Sequence, residues 1–110
     1  MSSPILVIGA LGNVGTEVVR QILARGGNVR AADMDVNKLR ERFGEAVEAV
    51  RFDFTDPSTF EETFRGVKRM FYMRPPHITN IQRDMVPSMD AAKEAGVKHV
   101  VFLSLIGIEN

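Results

Sequence analysis

Three glycines within seven residues, Gly9-Ala10-Leu11-Gly12-Asn13-Val14-Gly15, constrain this chain more than any other feature because of what flanks them. Before them, Ile5–Ile8 is a continuous apolar run rich in β-branched residues, the pattern of a strand buried on both faces. After them, Val14, Val18, Ile22 and Leu23 recur at helical spacing, with Glu17, Arg20, Gln21 and Arg25 largely on the opposite side. Gly26 and Gly27 close that helix. The order strand, glycine turn, helix opens a βαβ unit.

The alternation continues along the chain. The pattern predicts a second strand at 28–32, a short helix at 36–43 ended by Gly44, and a third strand at about 49–54. Thr55-Asp56-Pro57 is a cap followed by a proline, starting a helix that runs through Phe60 and Phe64 to Gly66. A fourth strand follows at 69–73. Beyond the loop forced by Pro75 and Pro76, Ile81, Met85, Met89 and Ala92 form a helical stripe to Gly96, bent by Pro87, and a fifth strand occupies 98–103. All nine glycines are expected in turns, none inside a strand or helix. Five strands alternating with four one-sided helices define an α/β fold with a doubly wound parallel sheet, Rossmann-like, in the order 3-2-1-4-5.

With 110 residues, 45% hydrophobic and 25% charged, residues 1–110 read as a single domain able to bury a core without staples. The absence of cysteine excludes disulfides, thiolate metal sites and a cysteine nucleophile. A formal charge of zero, with both signs mixed along the chain, gives no footprint for nucleic acid. Met1 to Pro4 is too short and polar for a signal peptide, and no apolar run approaches the ~20 residues of a membrane span, so a soluble, cytoplasmic protein is expected.

Each glycine of the turn has a mechanical task in a βαβ unit. Gly9 permits the tight exit from the strand, Gly12 lets a pyrophosphate approach the backbone, and Gly15 lets the helix pack on the sheet. The phosphates then lie over the first free N–H groups of the helix, near Asn13 and Val14. A turn that serves chain reversal alone is the plainer alternative. Asp33, at the end of the second strand, either receives the ribose hydroxyls of NAD or simply begins the turn. As a cofactor contact it favours NAD over NADP, because it repels a 2′-phosphate and no arginine follows it directly.

Asp53 either hydrogen-bonds the adenine amino group or caps its own turn, with Met34 and Phe54 as apolar walls for the ring. Met73 and Arg74, leaving the fourth strand, face the crevice where strand order reverses, and Arg74 is placed to neutralise pyrophosphate. His77 in the same loop is a weaker candidate for approaching nicotinamide or substrate, and His99 reads as structural.

The ordered set Gly9-Ala10-Leu11-Gly12-Asn13-Val14-Gly15, Asp53-Phe54-Thr55-Asp56-Pro57, Arg74-Pro75-Pro76 and Val100-Val101-Phe102-Leu103-Ser104 resembles the NmrA-like branch of the atypical short-chain dehydrogenases/reductases over nearly the whole chain. The resemblance implies an NAD(P)-binding fold, with members that are either reductases or nucleotide-sensing regulators without turnover. Leu11, within the glycine turn, and Ser104, after the fifth strand, complete the expected cofactor contacts. Family enzymes usually carry a serine pair after the fifth strand, where this chain has Ser104-Leu105. They also carry a later tyrosine and lysine, a sixth strand and a small substrate lobe, before which this chain is expected to be truncated. Tyr72, the single tyrosine, has no lysine four residues on. The expectation is therefore a module that binds NAD, with hydride transfer to a small carbonyl or quinone only if completed by further elements. The alternative is a redox sensor acting through a protein partner. An uncovered edge at the fifth strand is expected to pair with a second copy.

Overall fold

The computed structural model describes residues 3–53, 55–73 and 81–103. Five strands, β1 Ile5–Ile8, β2 Val29–Asp33, β3 Glu48–Arg51, β4 Arg69–Met73 and β5 His99–Leu103, form one sheet in the order β3-β2-β1-β4-β5. Every neighbouring pair is parallel. The connections are helices α1 Asn13–Ala24, α2 Val36–Phe43, α3 Phe60–Phe64 and α4 Ile81–Glu94. The expected Rossmann-like doubly wound architecture is the one observed.

The two-residue period of the strands distributes their side chains to two cores. Val7, Val29 and Ala31 join Val19 of α1 and Leu39 of α2 on one face. Leu6, Ile8, Ala32, Met70 and Tyr72 join Phe60, Phe64 and Ala92 of α3 and α4 on the other. Leu6 and Val7 are both fully buried although they point in opposite directions, which is why β1 reads as an unbroken apolar run. Phe52 stacks on Phe60 with ring centroids 5.6 Å apart and meets Phe64 edge-on at 5.8 Å. These aromatic contacts fasten α3 beneath β3.

β2 and β5 each begin one residue later than expected, and the larger departures have physical reasons. β3 stops at Arg51 because its partner β2 ends at Asp33; Phe52 N–H still donates to the Asp33 carbonyl at 2.9 Å, after which the chain turns into the core. Asp56 caps a short 3₁₀ turn, Pro57–Thr59, and α3 starts only after it. Gly44–Ala46 forms a further 3₁₀ turn after α2. Gly15 is the third residue of α1, so the expectation that no glycine lies in a helix is incorrect; the contact that requires it is described below.

A charged group also lies where an apolar one is the rule. Arg30, buried within β2, donates to the carbonyls of Thr63 at 2.9 Å and Arg65 at 2.6 Å and pairs with Glu48 at 2.9 Å. Burying a guanidinium is costly unless its donors are used. Here they are spent on the end of α3, whose last carbonyls have no helical partner. At the other side of the sheet β5 is the edge along which a second copy is expected, and Val100 and Val101 are 39% and 44% exposed there.

Tyr72 is fully buried under α4, its hydroxyl 2.6 Å from the Ser88 hydroxyl. Burial pushes its phenol up to about 12, against a smaller opposing effect of the Ser88 hydrogen bond. The folded chain thus keeps this proton to about pH 12 while the unfolded chain releases it near pH 10. Stability conferred by the neutral phenol is complete below pH 10 and is lost as pH rises towards 12, at up to about 1.4 kcal/mol per unit. Urea unfolding between pH 8 and 11.5 is expected to show this loss in the native chain and a shallower slope in Tyr72→Phe; equal slopes would contradict it.

Candidate functional site

The carboxyl ends of β1, β2 and β4 lie side by side, and the turn that leaves β1 crosses between them. Gly9 and Ala10 N–H both donate to the Ala32 carbonyl, at 2.9 and 3.3 Å, so the turn starts as an extension of the β1–β2 ladder. Gly9 then takes φ +84°, a conformation that side chains resist, and Gly12 N–H closes the turn onto the Gly9 carbonyl at 3.1 Å. The Thr16 hydroxyl, buried in the first turn of α1, donates to the Ala10 carbonyl at 2.8 Å.

Gly12 and Gly15 are required for different reasons. A Cβ at Gly15 would lie 2.1 Å from the Gly9 carbonyl oxygen and 2.9 Å from the Ala10 Cα, so the absence of a side chain is what brings α1 onto β1. A Cβ at Gly12 would meet only the Gly9 carbonyl oxygen, at an ordinary 3.4 Å, and its φ of −70° suits any residue. The protein itself therefore does not need glycine at 12. Gly12 is the N-cap of α1 and supplies no side-chain acceptor, and the first turn holds no acidic residue. The N–H groups of Asn13 and Val14 have no acceptor among the described residues. That is an open, positively polarised helix start suited to an anion.

Asp33 stands beside it, half-buried. Its Oδ2 accepts from Leu11 N–H at 2.9 Å and its Oδ1 from Met34 N–H at 2.8 Å. A carboxylate offers about four acceptor directions, so two remain for an incoming ligand. Met34 is 55% exposed at the rim. Asp53 caps its own turn: Oδ1 accepts from Thr55 N–H at 2.9 Å and the Thr55 hydroxyl at 2.6 Å, and Oδ2 lies 3.7 Å from Arg51. The Ser58 hydroxyl and N–H, helped by Arg51, hold the neighbouring Asp56 carboxyl below the usual carboxylate range. Phe54, Arg74, His77 and Ser104 lie outside the described residues, as does the side chain of Met73.

Two residues of the site carry little signal in the sequence. Thr16 is a hydroxyl at the start of an otherwise apolar stripe. Arg42, in the last turn of α2, reads as one more solvated charge, yet its Nη1 donates to the Leu11 carbonyl at 2.6 Å and to the Thr16 hydroxyl at 2.9 Å.

Residues 1–110 match the NmrA-like family. The chain belongs to that family. Prestalk A differentiation protein A of Dictyostelium discoideum is 34% identical over 108 residues, covering 96% of this chain and 36% of that protein. NAD(P)H azoreductase of Xenophilus azovorans is 34% identical over 103 residues, covering 94% and 36%. Citrobacter sp. triphenylmethane reductase complexed with NADP(H) superposes with a TM-score of 0.81 at 27% identity, over 90% of this chain and 36% of that one. The chain thus spans a little over a third of the length of these relatives.

Within this NmrA-like chain, His99 starts β5 opposite Arg69, at the end of the sheet remote from the glycine turn. Tyr72 points into the α3 and α4 core rather than into the crevice.

The two glycines give separable outcomes in a stability measurement. Gly15→Ala is expected to cost ~3 kcal/mol or more, because backbone atoms must move. Gly12→Ala is expected to stay within ~1 kcal/mol, the weaker cap being offset by a stiffer unfolded chain. Chemical denaturation of both variants checks this, and equal losses would contradict it.

Proposed function

We propose that this chain holds a nicotinamide dinucleotide across the glycine turn and forms the cofactor-binding part of an NAD(P)-dependent reductase. One observation carries the reading: the N–H groups of Asn13 and Val14 are left without an acceptor among the described residues, beside a Gly12 whose bare backbone the fold does not require. A pyrophosphate seated there would have its ribose within reach of the end of β2 and Asp33. The helix dipole contributes only ~0.3–1 kcal/mol, so backbone hydrogen bonds and adenosine contacts supply most of the affinity. The names of two relatives support the same ligand class, NAD(P)H for the azoreductase and bound NADP(H) for triphenylmethane reductase.

Asp33 favours NAD of the two dinucleotides. Its two unused acceptor directions suit the ribose hydroxyls, its charge opposes a 2′-phosphate, and Met34 brings no positive charge. In this reading Met34 flanks the adenine. Asp53, whose Oδ1 is engaged by Thr55, contributes at most through Oδ2. A bound nicotinamide supplies a hydride for a small carbonyl or quinone, and this chain's part is to hold and orient it. A second reading, binding without turnover as a redox sensor, is favoured by the burial of the Tyr72 hydroxyl away from the crevice.

Calorimetric titration with NADH and NADPH, beside an assay of NADH oxidation over a quinone panel, tests both readings. Binding with oxidation supports a reductase complete in this chain, binding without it fits a sensor or a cofactor-binding part alone, and no binding of either dinucleotide contradicts both readings. Asp33→Asn keeps the side-chain shape and one of the two acceptors while removing the charge. It is expected to shift the affinity ratio towards NADPH by about tenfold, equivalent to ~1.4 kcal/mol. An unchanged ratio would remove Asp33 from the ribose site.

A further inference from the structure

Leu11, midway through the glycine turn, has both of its backbone polar groups held by side chains from other elements. Its N–H donates to Asp33 Oδ2 from the end of β2 at 2.9 Å. Its carbonyl accepts from Arg42 Nη1 in the last turn of α2 at 2.6 Å. The same Nη1 donates to the Thr16 hydroxyl of α1 at 2.9 Å, and that hydroxyl donates to the Ala10 carbonyl at 2.8 Å. Asp33, Arg42 and Thr16 thus converge on a turn of four residues.

A trans peptide fixes its N–H opposite its C=O. Turning the Leu11 carbonyl towards Arg42 therefore turns the Gly12 N–H away from it, into the 3.1 Å bond with the Gly9 carbonyl that closes the turn. Gly12 has no side chain to restrict it, and it leads directly into the open N–H groups of Asn13 and Val14. Left to itself, a glycine here samples many orientations of the next amide. Arg42 is exposed, so its bonds add little to global stability. Their consequence is the orientation of the turn.

We propose that Arg42 is a positioning residue for the dinucleotide site, acting through Leu11. With Asp33 it grips Leu11 from both ends, holds the Gly12 N–H in its bond to the Gly9 carbonyl and so sets the amides of Asn13 and Val14 in their ligand-ready orientation before any ligand arrives. The proposal rests on the dinucleotide reading for its consequence but not for its mechanism. A cationic side chain acting on an anion at a distance is the alternative, and the two differ in the ligand-free protein. A distant charge leaves the turn unchanged without ligand, whereas a grip on Leu11 does not.

The test compares the native chain with Arg42→Met, which keeps an apolar stem, and Arg42→Lys, which keeps a donor and the charge. Amide hydrogen exchange at Leu11 and Gly12 is read without ligand, and NADH affinity at 50 and 500 mM salt. Arg42→Met is expected to speed exchange at both amides about tenfold and to weaken NADH binding about tenfold at both salt concentrations, with Arg42→Lys recovering part of each. Exchange at Leu11 and Gly12 unchanged in Arg42→Met overturns the proposal. So does a loss of affinity that vanishes at 500 mM salt. Failure of the native chain to bind NADH would overturn the dinucleotide reading alone, and the exchange comparison would still decide whether Arg42 holds the turn.

Discussion

The contact on which the rest depends is the approach of α1 to the end of β1, where Gly15 passes so near the Gly9 carbonyl that no side chain fits between them. That approach fixes where α1 begins and where its axis points. The helix lies along the sheet with its first turn beside the carboxyl ends of β1 and β2, so the N–H groups that lack an acceptor among the described residues open on the same side as Asp33. The apolar face of α1 follows from the same placement, since Val19 is then carried over Val7 and Val29. The packing of α1 and the placement of its first turn beside Asp33 are two results of one missing Cβ.

Around that contact, the polar groups at the carboxyl ends of the strands divide into those spent on the fold and those left open. Thr16, Asp33 and Arg42 spend part of their hydrogen-bonding capacity on the turn itself. Asp53 and Asp56 spend theirs on the caps that start the segment before α3. The amides of Asn13 and Val14 and the spare acceptor directions of Asp33 remain. A donor pair and an acceptor on adjacent elements match a phosphate joined to a ribose, and the relatives of this NmrA-like chain named for NAD(P)H and NADP(H) are consistent with that match.

Most of the architecture is legible in the sequence because it is written in local periodicity. β1, α2 and β4 occupy the spans their patterns indicate, and the parallel order follows from short crossovers. β3 ends earlier than the pattern at 49–54 indicates because a strand ends where its partner does, and the end of β2 is not encoded in β3. Gly15 reads as a turn residue by composition, whereas its role is a helix-to-strand contact made inside α1. Asp33 is visible as a candidate from its distance to the glycines, but its bonds to Leu11 and Met34 are not. Arg42 meets Leu11 across 31 positions, and Arg30 meets Arg65 across 35. No pattern of residue types records such pairings, because an arginine on a helix or strand looks the same whether it is solvated or anchored.

The proposed function turns on the start of α1 as an anion seat for a dinucleotide. Nuclear magnetic resonance of the 15N-labelled chain titrated with NADH reads that seat residue by residue. A pyrophosphate at this position moves the amide signals of Gly12, Asn13 and Val14 most, in one saturable process, and leaves those of Asn28 and Lys98 at the opposite end of the sheet in place. Saturable shifts centred on that opposite end, with Gly12 to Val14 unmoved, would contradict it.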